Sequence, residues 1–176
     1  MAFDMFLEFQ NAVATPSGTI KVEGESGDKA HPKSIPLASV SLGVENTTSI
    51  GSASGGVGAG KAKLDAIAIT KSIDSTTPYL YSLVGTGGHF SDAALYIRKS
   101  GAPNDYLIYR FKMVFVTDIK WSAANGDDAP QETVKLVCGS MQVEYTPLSP
   151  TGVAQKAILT VWNQVTNSAT ADVPGN

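Results

Sequence analysis

Cysteine is nearly absent: Cys138 is the only one in 176 residues. No intrachain disulfide can form, and nothing points to an oxidising compartment. Histidine is almost as scarce. His31 and His89 lie far apart, with neither in an i, i+4 pair nor in a His/Cys cluster. Their spacing asks for no metal, and both read as surface or loop residues. Long apolar runs are missing too; they span a few residues, far short of the ~18 that a membrane-crossing helix needs. The opening MAFDMFLEFQ has no positively charged start, no apolar run of signal length and no small-residue cleavage site. A protein made in the cytoplasm is expected, with any export by a signal-independent route. A basic excess is also lacking. The 13 Lys and Arg against 16 Asp and Glu give a net charge of -3, which argues against a general nucleic-acid binder.

What the chain does contain is glycine, 17 residues of it, and many small polar side chains. Charged residues make up 16%, against a usual ~25%. That profile suits a β-rich domain with much of its surface covered by a partner. A chain of this length can bury roughly 70% of its unfolded surface, so one core suffices without staples. The expected organisation is a single domain over residues 1–164 followed by a polar tail, 165–176, that frays.

Most periodic segments repeat at two. Phe3, Met5, Leu7 and Phe9 alternate with Asp4, Phe6 and Glu8. From Tyr106 to Val116, the residues Leu107, Tyr109, Phe111, Met113 and Phe115 share a face opposite Arg110 and Lys112, predicting a long strand with that face in the core. Between Glu132 and Tyr145 the apolar phase moves from Val134, Leu136 and Cys138 to Met141, Val143 and Tyr145. A one-residue slip turns every later side chain to the other face, so a bulge or bend belongs at Gly139-Ser140. Asn125-Gly126-Asp127-Asp128 and Pro130 supply the turn that makes these two strands a hairpin. Further strands are expected at Thr19 to Gly24, Ile35 to Val44, Ala62 to Lys71, Ala93 to Lys99 and Lys156 to Gln164. One helix is expected at about 77–86, with Thr77 as N-cap, Pro78 at the first helical position and an apolar stripe of Leu80, Leu83 and Val84. The fold class is therefore mainly β, a small β-barrel or two-sheet sandwich with one short helix.

Motifs that carry chemistry are weak. Gly55 to Lys61 reads GGVGAGK, the first seven positions of a phosphate-binding loop, but Ala62 stands where Ser or Thr must hold magnesium, and strand-like residues follow in place of a helix. Asn46-Thr47-Thr48 is a chance glycosylation sequon. GSASG has Ala53 where a nucleophile elbow needs serine. Cys138 sits mid-strand among apolar neighbours and reads as a small buried hydrophobe. Asp127-Asp128 reads as a solvated turn pair. No catalytic constellation, cofactor site or metal site is expected.

In order along the chain stand MAFDMFLEF, IKVEGES, TTSIGSASGGVGAGKAKL, KSIDSTTPYLYSLVGTGGHF, YLIYRFKMVFVTDIKWSAANGDDAPQETVKL and VEYTP. Together they resemble the Hcp family, tube subunits of the bacterial type VI secretion system, over roughly residues 1–164. The resemblance implies a small barrel of two sheets with a helix on its side. It also implies a homohexameric ring, with rings stacking head to tail into an exported tube that carries effector proteins in its lumen. The implied partners are the sheath, the spike and the effectors, with no nucleic acid, membrane insertion or reaction. The alternatives are the tail-tube protein of a contractile phage or phage-derived particle, a monomeric small-ligand barrel, and an enzyme.

Two surface expectations follow. The long, nearly uncharged segment formed by Asn46, Thr47, Thr48, Ser49, Ile50, Gly51, Ser52, Ala53, Ser54, Gly55, Gly56, Val57 and Gly58 can order on docking, and is the candidate ring-to-ring contact. The Ala62 to Lys71 strand has Ala66 and Ala68 on one face and Ile67 and Ile69 on the other. A strand apolar on both faces wants two neighbours, making Ile67 and Ile69 candidates for a subunit interface.

Overall fold

The computed structural model describes residues 3–11, 13–15, 18–46, 60–126, 129–149, 151 and 153–174. In chain order the elements are β1 (Phe3–Phe9), β2 (Val13–Thr15), β3 (Gly18–Ile20), β4 (Ile35–Pro36), β5 (Ser39–Ser41), β6 (Val44–Asn46), β7 (Ala62–Leu64) and β8 (Ile67–Ser72). They continue with α1 (Thr77–Thr86), β9 (His89–Lys99), β10 (Leu107–Ser122), β11 (Gln131–Tyr145) and β12 (Ile158–Asn163). The fold is mainly β with one short helix, as the alternating patterns predict.

The main sheet is antiparallel and runs β4-β1-β9-β10-β11-β8-β5. Its spine is the β10–β11 hairpin, paired from Leu107↔Tyr145 to Ser122↔Gln131 with a one-residue register shift between Val116 and Asp118. The far edge of β11 serves two partners: β8 beside Gln131–Leu136 and β12 beside Ser140–Tyr145. No ladder joins β4 to β5, so the sheet is not a closed barrel. Both are pieces of one bent segment, in which Leu37 N–H donates to Met5 O on one edge and Ala38 N–H to Thr70 O on the other. The sheet is thus rolled onto itself as a sandwich around Leu7, Ile35, Ile69, Leu80, Phe90, Leu95, Phe111 and Leu136. Phe9 and Phe90 stack there at 4.0 Å between ring centroids.

A crease crosses the three central strands. In β11 the core residues change from Leu136 and Cys138 to Met141, the slip read at Gly139-Ser140. The same slip occurs beside it in β10, from Phe111 to Val114 and Val116, and in β9, from Phe90 to Ala93 and Leu95. Met113 therefore does not share the core face of Phe111. Its φ of +55°, a conformation costly for a bulky side chain, turns the strand over, and Phe115 follows it outward to stack on His89 at 4.8 Å. A Cβ on Gly139 would stand 3.3 Å from Met113 Cβ and 3.0 Å from a Val173 methyl. The missing side chain leaves a socket that Val173 fills, only 7% exposed.

That socket corrects the expectation of a frayed tail. Through Pro174 the tail lies against the sheet, with Ser140 Oγ donating to Ala171 O at 2.6 Å and Asn163 Nδ2 to Asp172 O at 2.7 Å. Three expected strands also change. Ile35 to Val44 breaks into β4, β5 and the opening residue of β6. Thr19 to Gly24 pairs only as far as Ile20, because Gly24 passes close to the next hairpin and donates to Lys33 O at 2.7 Å. Ala62 to Lys71 breaks at Asp65-Ala66 into β7 and β8.

The helix spans Thr77–Thr86, the expected range, but Thr76 and not Thr77 is its N-cap, and Gly87 at φ +71° ends it. Thr77 Oγ1 does not cap; it donates to Glu132 Oε1 at 2.8 Å. Leu80 and Leu83 are fully buried, whereas Val84, expected beside them, is 38% exposed. Lys71, buried behind the helix start, donates to Ser72 O at 2.8 Å and pairs with Asp74 and Glu132, each at 2.7 Å. Trp121 Nε1 donates to the second oxygen of Glu132 at 3.0 Å.

Candidate functional surfaces

His, Cys, Asp and Glu side chains are spread over the described residues. Among them no three His, Cys, Asp or Glu side chains converge as a metal site. Burial pushes the Cys138 thiol up to about 12, the opposite of what a nucleophile needs. After Lys61, the end of the phosphate-loop match, the chain enters β7 and not a helix. No helix among the described residues is long and apolar enough to cross a membrane.

The candidate stacking segment starts at Asn46, the last residue of β6; Thr47 to Gly58 lie outside the described residues. Its base is described. β6 and β7 form a two-stranded ribbon with Val44↔Leu64 and Asn46↔Ala62 opposite each other. Gln164 staples the ribbon to the sheet, accepting from Leu64 N–H at 3.1 Å and donating to Cys138 O at 2.6 Å. Outside that staple the ribbon is exposed, Val44 at 58%.

Ile67 and Ile69 are not at a surface. They are 2% and 1% exposed in the chain's own core, so no neighbouring subunit can reach them. The two-faced reading holds with its faces exchanged: the larger apolar side chains gain more by burial, leaving Ala66 exposed and Ala68 half-buried outside.

Sequence reasoning missed the strongest apolar surfaces, because exposed residues scattered over distant segments leave no local pattern. One lies at the turn end of the β10–β11 hairpin, where Tyr81 is 63% and Trp121 51% exposed, their rings 5.8 Å apart. The other lies at the open end. There Tyr145 is paired to Ile158, and Leu148 bridges to Ala154 beside Val153. Ile158 and Val153 are 65% and 64% exposed. Among the described residues β12 has no second strand beside it, its outer edge meeting only Ser168 at Asn163.

The family described as "Type VI secretion system effector, Hcp" matches residues 6–145. The chain is 35% identical over 154 residues to Protein hcp1 of Pseudomonas aeruginosa, covering 86% of this chain and 88% of that protein. A solved structure of a type six secretion system protein superposes with a TM-score of 0.85 at 30% identity, over 96% of this chain and 100% of the other. Hcp1 from Salmonella typhimurium gives 0.75 at 25% identity, over 97% and 100%. A match across most of the chain, in sequence and in fold, shows that this chain belongs to the Hcp family of type VI secretion system proteins.

Proposed function

We propose that the chain is a structural subunit that assembles into a homohexameric ring, and that rings stack head to tail into an exported tube carrying effector proteins in its lumen. The observation that carries this reading is the pair of unlike apolar surfaces at opposite ends of the β10–β11 hairpin. A closed ring with head-to-tail contacts needs two different patches on each subunit, one meeting the other on the next copy. Large exposed apolar patches on a single chain mark such contacts. The β6–β7 ribbon, exposed from Val44 to Asn46, leads into the Asn46 to Gly58 segment, which supports its role between rings. The sheath, spike and effectors are the partners of this reading, and export needs no cleaved signal.

The test is the mass in solution by light scattering, with the same peak viewed by negative-stain electron microscopy. Six copies of an 18.4 kDa chain weigh about 110 kDa; that mass, seen as rings with a central hole, is the expected result. A compact monomer at tens of micromolar would overturn self-assembly by the free chain. Deleting Ser52 to Gly58 is expected to leave rings that no longer stack, and unchanged stacking refutes the loop's role. Each ring carries six times the net charge of -3, so stacking is expected to weaken at low ionic strength, where repulsion is less screened.

A further inference from the structure

His31 is the one residue whose surroundings contradict its sequence context most sharply. It lies in a loop rich in small and polar residues, yet it is 5% exposed. Its ring is held between two aromatic rings, Phe6 at 4.9 Å and Tyr96 at 4.3 Å between centroids. Each ring nitrogen faces a carboxylate: Nδ1 lies 3.1 Å from Glu8 Oε1 and Nε2 2.9 Å from Asp105 Oδ2. Four separated pieces of chain meet there, namely the 24–34 loop, β1, β9 and the turn leading into β10.

The donor count decides the chemistry. Ionised carboxylates only accept, and a neutral imidazole has one N–H and one lone pair. Only the doubly protonated ring donates to Glu8 and Asp105 together. The other charges nearby do not replace it. From β9, Arg98 forms a two-pronged pair with Asp28 of the loop, lies 3.7 Å from Asp4 of β1 and sits over the Phe6 ring. That guanidinium holds the Asp28 carboxyl at about 2, and Asp28 Oδ1 also accepts from His31 N–H. Of the loop's lysines, Lys33 is turned to Glu23. Tyr96, its hydroxyl raised by burial and then by the Glu8 charge, supplies no cation, and Arg110 of β10 is paired with Glu144. Among the described residues His31 is thus the group placed to donate to both Glu8 and Asp105, and the second Asp105 oxygen, Oδ1, is buried with no hydrogen-bond partner among them.

We infer that His31 is a proton-dependent latch: its charged ring pins the 24–34 loop to β1 and to the 100–106 turn, and removal of one ring proton sets a lone pair against a carboxylate and loosens the loop. The device is independent of the tube reading, since it acts within one chain. The test compares the full chain with His31→Gln and Asp105→Asn by denaturant unfolding at about pH 5.5 and about pH 8.5, on either side of the range where histidines generally titrate. At the lower pH the folding equilibrium constant of the parent is expected to exceed that of His31→Gln ~10-fold or more, the scale of one charge-assisted hydrogen bond. At the higher pH the gap shrinks, and trypsin cuts the parent faster after Lys29 relative to an unfolded control peptide. Asp105→Asn, which keeps the site's shape, shows a smaller change between the two pH values than the parent. An equal gap at both, or the same pH response in Asp105→Asn as in the parent, overturns the latch.

Discussion

Lys71→Met tests whether the buried charges behind the helix hold the fold together. The ammonium has three donors, matched by Ser72 O, Asp74 Oδ1 and Glu132 Oε1. The Lys71 and Glu132 side chains are fully buried and Asp74 is 11% exposed. Methionine fills nearly the same space but leaves Glu132, which water cannot reach, without its cation, and Asp74 with only slight access to solvent. Breaking a buried pair from one side costs about 3–5 kcal/mol, a large share of the 5–15 kcal/mol that typically separates folded from unfolded. Local hydrogen bonds do not offset this: Thr77 and Trp121 both donate to Glu132 already.

Urea unfolding followed by tryptophan fluorescence is the assay, at one protein concentration because assembly would raise apparent stability. Trp121, bonded to Glu132, reports the site directly. Adding Glu132→Gln to Lys71→Met removes one stranded charge while keeping an acceptor for Thr77, so the double variant is expected to regain at least ~1 kcal/mol over the single one. A loss below ~1 kcal/mol in Lys71→Met, or strict additivity of the two changes, would refute the reasoning.

Gly24→Ala is expected to prevent the 24–34 hairpin from closing, because its Cβ would stand 2.2 Å from Ser34 O, a backbone atom; a native-like dispersion of amide signals for residues 24–34 would contradict this. The Cys138 thiol sits at about 12 when folded, but titrates near ~8.5 in an unfolded chain. Above ~8.5 the unfolded state loses this proton first, so stability falls with rising pH. A Cys138→Ala variant is expected to lack that component; identical alkaline profiles would rule it out. Asp28 behaves oppositely: Arg98 holds its carboxyl at about 2 against a usual 3.8. Its contribution is complete above ~3.9 and is lost as pH falls through about 2. Acid unfolding of Asp28→Asn, measured beside the parent, is expected to show a shallower loss below pH 4.

What the sequence disclosed depended on whether a residue's neighbours were written into its own segment. The slip at Gly139-Ser140 is visible because β11 itself changes phase from Cys138 to Met141. Its counterpart in β10 is not, since Leu107 to Phe115 keeps a clean alternation and the reversal at Met113 is imposed by the strands on either side. The Ala62 to Lys71 pattern showed two apolar faces but not which one the core would take. His31 gave no signal: its carboxylate partners lie 23 and 74 positions away. The polar tail misled for the same reason, because its anchor, a socket over Gly139, belongs to another strand. The family was legible where single contacts were not, since six segments in order carry more information than any one of them.

The crease turns out to be the junction of the proposed assembly's parts. Gly139 O accepts from Gln164 N–H at 3.0 Å. The same glutamine's side chain ties Cys138 O to Leu64 at the base of the β6–β7 ribbon. Val173 occupies the space where Gly139 has no side chain, and Asn163, the last residue of β12, holds Asp172 beside it. The ribbon that bears the candidate stacking segment, the edge strand β12 and the tail thus all converge on two residues of β11. A side chain at Gly139 would press on Val173 and Met113 together, and any shift of Gln164 would pass to the ribbon through one amide. The glycine that lets the sheet bend is therefore also the point from which the outward-facing segments take their positions.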